Sequence, residues 1–312
     1  MNVLEQRLAG YLAVRRVLGY RLARAEKLLA QFIAWLEERG EQAVTIELAL
    51  AWATLPPATS SNWHAHRLSV VRGFAAHLHA LDGVHELIPR DLLPQRPRRA
   101  VPYLYTDAEI RALMGASAVI PTAHRAATMR ALIGLLAVTG MRIGETIRLD
   151  QGDIDHQRDT LTVVESKFGK SRELAVHPST TRQLRAYLRR RDRPIPPEPT
   201  DAVFTSAVGT RLTYCNAHLA FKRIVAHAGL EPRSAVCCPR PHDLRHTFAV
   251  NTLLDAYRDD TGDGEHIQAR IALLCTYLGH VNPGSTYWYL QAAPELLALA
   301  ADRLERVEGG AR

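Results

Sequence analysis

Four short blocks of this 312-residue chain set cations or titratable groups among apolar neighbours: TGMRIGETIRL at 139–149, SKFGKSREL at 166–174, PHDLRHTFAV at 241–250 and YLGHVNPGSTYWYL at 277–290. Arg142 follows a glycine that closes an apolar stretch. An unpaired guanidinium in such surroundings is costly, so it must meet either Glu145, three residues on, or an anion from outside. His242 and Arg245 are also three apart, hence on one helix face. They can converge on one anion, or do no more than cap and solvate their helix.

Taken in chain order, the blocks resemble the tyrosine recombinase, or phage integrase, family, in which Arg, Lys, His-x-x-Arg, His or Trp, and Tyr follow one another. The resemblance covers nearly the whole chain, because the helical segment at 1–88 is similar to the family's core-binding DNA domain. It implies that Arg142 is the first arginine, with Glu145 as acidic support, and that Lys167 is the β-hairpin lysine. His242 and Arg245 then form the His-x-x-Arg pair, and His280 is the histidine of the Leu-Gly-His box. The family tyrosine usually stands nine residues after that histidine, which selects Tyr289, with Tyr287 in reserve.

The implied fold is mainly α: an N-terminal helical, SAM-like core-binding domain and a C-terminal α-rich catalytic domain with a small antiparallel β-hairpin sheet, the DNA breaking-rejoining fold. The implied reaction is attack on a DNA phosphodiester, a 3′-phosphotyrosyl intermediate and a released 5′-hydroxyl, with no metal or other cofactor. Double-stranded DNA sites, a homo-tetramer assembled on them and accessory proteins are the implied partners, in phage integration, transposition or chromosome resolution.

The chemistry agrees with that assignment. Phosphoryl transfer without a metal needs positive charge around the phosphorane and an acid for the leaving group. Two arginines offer planar paired donors where lysine offers a point charge. Lys167 is suited to protonate the leaving 5′-oxygen, and His242 and His280 to donate to the phosphate or help move the tyrosine proton. Two rival readings remain. His242-Asp-Leu-Arg-His246 has the i, i+4 histidines of a zinc hydrolase, but Asp243 stands where a glutamate base belongs, and Cys238 or His266 would have to be recruited as third ligand. A DNA-binding protein without catalysis would need only the basic helical module, and has no use for the tyrosine.

These residues need a scaffold, and its outline is legible. Apolar positions at three- and four-residue steps predict helices over about 3–18, 21–39, 45–55 and 61–81. Gly19, Gly40, Pro56-Pro57 and Asp82-Gly83 are their stops, and Thr45 and Ser61 are plausible N-caps. In the last of these helices Leu68, Val71, Phe74 and Leu78 should face the core, turning Asn62, His64 and Arg67 towards DNA. The segment 89–103, rich in proline and arginine, reads as a linker whose Arg96, Arg98 and Arg99 can neutralise phosphates. A catalytic domain at 104–312 opens on the capping box Thr106-x-x-Glu109. It continues with a helix over about 125–139 ending at Gly140, another from near Ile143, and strands 160–165 and 172–176 around a glycine-containing turn.

Composition narrows the partners. A net charge of +7 and a pI near 9.4 favour polyanions. Among 39 cations only Lys27, Lys167, Lys170 and Lys222 are lysine, and two of them share one short segment. The longest nearly unbroken apolar run, Ala131 to Met141, is 11 residues, against about 20 for a membrane span, and the N-terminus shows no signal-peptide core. No membrane partner and a cytoplasmic location are therefore expected. The cysteines at 215, 237, 238 and 275 form no CxxC pair and are read as reduced. His64, His66, His77 and His79 are read as ordinary polar groups of their helix. The run from Asp259 to Glu265 superficially suggests a calcium loop, but its twelfth position is Arg270, so a solvated insertion is preferred.

Overall fold

The computed structural model describes residues 3–20, 22–55, 60–94, 101–164, 171–259, 265–280, 284, 295–299 and 301. Cα packing divides the chain into two compact units, 1–99 and 100–312.

Among the described residues the first unit has four helices: α1 (Val3–Val17), α2 (Ala23–Glu37), α3 (Ile46–Thr54) and α4 (Ser61–Asp82). Their core joins Leu4, Leu8, Leu29, Phe32, Trp52, Leu68, Val71, Phe74 and Leu78, so the apolar stripe expected of α4 is the buried one. Thr45 caps α3 by accepting from the Leu48 amide at 3.2 Å. On α4 the cap is Ser60 rather than Ser61, because Ser60 is the last extended residue. The glycines at 19, 40 and 83 all take left-handed φ, which stops the chain from continuing as helix. Pro56-Pro57 lies outside the described residues.

Arg67 departs from expectation. Its side chain does not point outwards but is buried, donating from Nη2 to the Trp52 carbonyl at 2.7 Å, with the guanidinium 3.6 Å from the centre of the Trp52 ring. The cause is the end of α3: the Trp52 carbonyl, in the last turn, receives a long 3.4 Å bond from the Leu55 amide, and Arg67 adds a shorter, charged donor from across the core. Asn62 is exposed and His64 half-buried at the start of α4. Among the other histidines, His66 packs on Trp63, His77 on Tyr11, and His79 meets the His85 carbonyl at 2.7 Å.

The second unit carries α5 (Asp107–Ala116), α6 (Ala123–Thr139), α7 (Ile143–Arg148), α8 (Pro178–Leu188), α9 (Tyr214–His227), α10 (Asp243–Asp259) and α11 (Glu265–Leu278). The Thr106–Glu109 capping box opening α5 is present in both directions. The sheet is antiparallel, in the order β1 (Ile154–Asp155), β2 (Thr160–Val163), β3 (Arg172–Ala175), with Val163 opposite Arg172 and Leu161 opposite Leu174. β1 is too short to show periodicity. It exists because the Asp155 side chain accepts from the amides of Gln157 and Arg158, at 2.8 and 3.0 Å, and turns the chain back on itself. One core gathers α5–α9 and the sheet, and a second gathers α10 and α11 with Leu296.

Gly140 joins these parts. It ends α6 with φ +58°, and a Cβ there would lie 2.5 Å from Phe248 on α10 and 3.0 Å from Leu278 on α11. Among the described residues no helix is long and apolar enough to cross a membrane.

Arg67→Ala should lower the unfolding free energy by about 2 kcal/mol, from a lost charged hydrogen bond and a lost cation–π contact. Urea unfolding measures it; an unchanged midpoint would return Arg67 to the surface role first expected of it.

Candidate active site

Helix α11 ends in a Schellman turn. The Gly279 amide donates to Thr276 O at 3.0 Å and the His280 amide to Cys275 O at 2.9 Å, with Gly279 at φ +68°. The next three carbonyls each receive a different arginine. Arg172 Nε donates to Tyr277 O at 2.8 Å, Arg245 Nη2 to Leu278 O at 2.8 Å, and Arg142 Nη2 to Gly279 O at 3.2 Å. Carbonyls at a helix C-terminus lack intrahelical donors and carry the negative end of the helix dipole, so they favour cations. The Leu-Gly-His sequence is thus the hub on which the site is assembled.

Each arginine is fixed from a second side. Arg245, on the first turns of α10, is almost wholly buried and donates from Nη1 to Gly140 O at 2.7 Å, so it bridges the C-termini of α6 and α11. Arg142 is the residue before α7. Its Nη1 meets Glu145 Oε1 at 2.7 Å while its amide donates to Glu145 Oε2 at 3.1 Å. Arg172, first residue of β3, reaches the same carboxylate at 2.8 Å through Nη2. Of the two alternatives open for Arg142 in the sequence, the Glu145 pair is made, yet its side chain keeps 26% exposure against 2% for Glu145 and 12% for Arg172. Arg142 therefore presents its charge to solvent while its partners are sealed.

Burial works to raise the Glu145 pKa, but the hydrogen bonds and charge of Arg172 and then Arg142 outweigh it and hold the carboxyl at about 2. It is an anion at any ordinary pH. The histidines are shifted the other way. Desolvation first, then the surrounding charges, lower His246 to about 3 and His280 to about 4, Arg245 and Arg142 being the cations that act most on His280. His242 is exposed, and desolvation first, then Arg245 and Arg142, lower its pKa. Its ring stands edge-on to that of His246, with centroids 4.8 Å apart. The positive charge is thus carried by arginine, and the imidazoles are neutral groups able to give or take one proton.

The structure brings Arg142, Glu145, His242, Arg245 and His280 together. Lys167, Tyr287 and Tyr289 lie outside the described residues, as do Arg96, Arg98, Arg99 and residues 260–264. Three contributors escaped the sequence reading. One is Arg172, whose signal was available: on a strand it shares a face with Leu174, which is fully buried, so it needed a partner inside. The others are Arg240 and Asp243. Arg240 grips the Asp243 carboxylate through Nε and Nη2, both at 3.0 Å, and holds the start of α10 in place. The residue that a zinc hydrolase would use as base is thereby committed to structure. Among the described residues no group of three His, Cys, Asp or Glu side chains is placed to hold a metal.

This arrangement of guanidiniums, a shared carboxylate and neutral imidazoles on one helix end is accompanied by similarity in sequence. Residues 104–295 match the phage integrase family model. The chain is 39% identical to a putative integrase/recombinase, y4rB, of Sinorhizobium fredii, with 98% of each chain covered. The chain belongs to the phage integrase family. It is also 31% identical to the tyrosine recombinase XerD of Mycobacterium tuberculosis, over 81% of this chain and 86% of that one. Its fold is shared with the Tn1549 transposon integrase in complex with transposon right end DNA, at a TM-score of 0.63 and 18% identity over 97% of this chain and 99% of that one. The lambda integrase dimer bound to a COC′ core site gives 0.60 at 17% identity, over 90% and 96%. The mainly α architecture with a small antiparallel sheet, expected from the sequence, is the architecture of this integrase-family protein.

Because His246 and His280 bind protons more weakly folded than at the unfolded value of about 6.5, the unfolded chain holds more protons between those values, and these two groups cost stability as pH falls from about 6.5 towards 4. The contribution of Glu145 is lost only below its unfolded value of 4.5, as pH falls towards about 2. Site-resolved NMR titration should find both imidazoles neutral at pH 6. A protonated ring for either at that pH contradicts the assignment.

Proposed function

We propose that this integrase-family protein is a site-specific DNA recombinase in which Tyr289 attacks a phosphodiester held by Arg142, Arg245 and the neighbouring histidines. The reading is supported above all by Arg142, Arg245 and Arg172 meeting on the α11 turn that presents His280, nine residues before Tyr289 in the sequence. Arginine charge around a phosphorane stabilises it where it is most negative. Tyr289 Oη forms a bond to phosphorus as the bond from phosphorus to the 5′-oxygen breaks. Lys167 gives its proton to that oxygen, and a neutral imidazole or water takes the proton of the tyrosine. The products are a 3′-phosphotyrosyl link and a 5′-hydroxyl, and a 5′-hydroxyl from a second duplex reverses the step.

In this reading residues 1–88 form the helical DNA-binding domain, 89–103 the linker and 104–312 the catalytic domain. Asn62 and His64 at the start of α4, with Arg96, Arg98 and Arg99, are the proposed DNA contacts. Double-stranded DNA is the substrate and a homo-tetramer on DNA the exchanging species, with accessory proteins as further partners. The named relatives and the DNA complexes of the structural neighbours support this assignment, and the reaction is placed in the cytoplasm, where DNA is accessible.

The test starts from duplexes selected by this protein from random sequence, then nicked close to the cleavage point so that the covalent product is trapped. The wild-type chain should form the adduct in EDTA as without it, and Tyr289→Phe should keep DNA binding and abolish the adduct. An adduct that survives in Tyr289→Phe and vanishes in Tyr287→Phe moves the nucleophile by two residues, and a strict need for added divalent metal refutes the mechanism.

Lys167→Ala should slow cleavage by about 10²-fold or more on ordinary DNA, within the range of general acid catalysis. A duplex with sulfur at the 5′-bridging position has a leaving group that needs no acid, and should restore most of the rate. An equal defect on both duplexes removes Lys167 from the acid role.

A further inference from the structure

Arg172 belongs to none of the positions assigned above to the chemistry, yet it touches two of the groups that hold those positions. Its Nη2 is 2.8 Å from Glu145 Oε2 and its Nε is 2.8 Å from Tyr277 O. Its guanidinium also lies directly over Gly279: a Cβ on that residue would come within 3.0–3.3 Å of Arg172 Nη1, Cζ and Nε. A side chain at Gly279 would press on Arg172, so the glycine leaves the guanidinium room at the turn. On the strand side it pairs with Val163, in the last described register position of the β2–β3 hairpin.

We propose that Arg172 is a positioning residue for strand cleavage, sharing Glu145 with Arg142 so that Arg142 keeps an uncompensated positive charge for the phosphate, and locking the turn that carries His280. The inference rests on the reading of the site as a phosphodiester-cleaving centre. Two guanidiniums and one carboxylate leave the cluster at +1. Without Arg172 the remaining pair of Arg142 and Glu145 is neutral, and the buried carboxylate has only Arg142 to satisfy it. Arg142 is then drawn inwards on both its amide and its Nη1, and less of its charge reaches an anion at the exposed edge. A carboxylate that is a strut in the complete site becomes a competitor of the phosphate when Arg172 is gone.

Charge, and not only shape, is therefore at issue, and a second substitution can restore it. Single-turnover formation of the covalent adduct is measured on the nicked duplex described above, with DNA affinity measured separately. Arg172→Ala should slow the adduct by about 10²-fold, the size of losing one preorganised donor, with affinity within about threefold, because the phosphate contacts that dominate affinity are elsewhere. Adding Glu145→Gln to Arg172→Ala returns the cluster to +1 and should recover about tenfold of that loss, equivalent to about 1.4 kcal/mol. A double variant no faster than Arg172→Ala, or an Arg172→Ala chain as fast as the wild type, overturns the proposal.

If Arg172→Ala does not fold, Arg172→Lys and Arg172→Gln, which leave no large cavity, decide the matter. The lysine variant should be about tenfold faster than the glutamine variant, the size of 1.4 kcal/mol in a barrier, and equal rates overturn the proposal. A wild-type chain that forms no adduct fails the strand-cleavage reading itself and the inference with it, whereas an active wild type with indifferent Arg172 variants fails the inference alone.

Discussion

The end of helix α11 sets the terms for the rest of the catalytic unit. Three successive carbonyls there, of Tyr277, Leu278 and Gly279, have no donors within their helix, and burying them unsatisfied would carry a penalty for each. Arginines from β3, α10 and the residue before α7 supply the donors. Residues separated by more than 100 positions in the chain are brought together because one backbone turn needs what they carry, and the left-handed conformation of that turn favours a glycine at 279. Positive charge required for phosphate chemistry is thereby built in at low conformational freedom, by groups already tied to backbone.

Such a cluster has an electrostatic problem. Guanidiniums gathered in a partly sealed site repel one another, and each loses hydration. Glu145 answers for two of them, and its own burial is tolerable only because both hold it. Arg245 has the end of α6 as well as that of α11, so two helix dipoles oppose its charge. The histidines cannot add to the positive charge in the same space and are held neutral instead. That division, arginine for charge and imidazole for proton movement, is a consequence of crowding rather than of residue type alone.

The N-terminal unit illustrates the same rule in a simpler setting. Arg67 is drawn into the core by a carbonyl at the end of α3 and by the face of Trp52. An arginine on a helix of this unit thus serves the fold. Net charge favours a polyanionic partner, but which cations meet it is decided one side chain at a time by the backbone groups each can reach.

Much of this protein was legible in its residues. The helical stripes of the first unit, the Thr106–Glu109 box, the end of α6 at Gly140 and the hairpin all follow from local periodicity and from turn and cap chemistry, which act over a few residues. The order of Arg142, Lys167, His242, Arg245, His280 and Tyr289 identified the family before any fold was known. Periodicity could not show that Arg67 faces inwards, that Arg172 shares Glu145 with Arg142, or that Asp243 is engaged by Arg240. Each of these depends on a polar group delivered by a different part of the chain or by a loop geometry. Spacing along the sequence determines which face of an element a residue occupies; only the packed structure determines which unsatisfied carbonyl or carboxylate waits opposite that face, because a charge is placed by the partner that can compensate it.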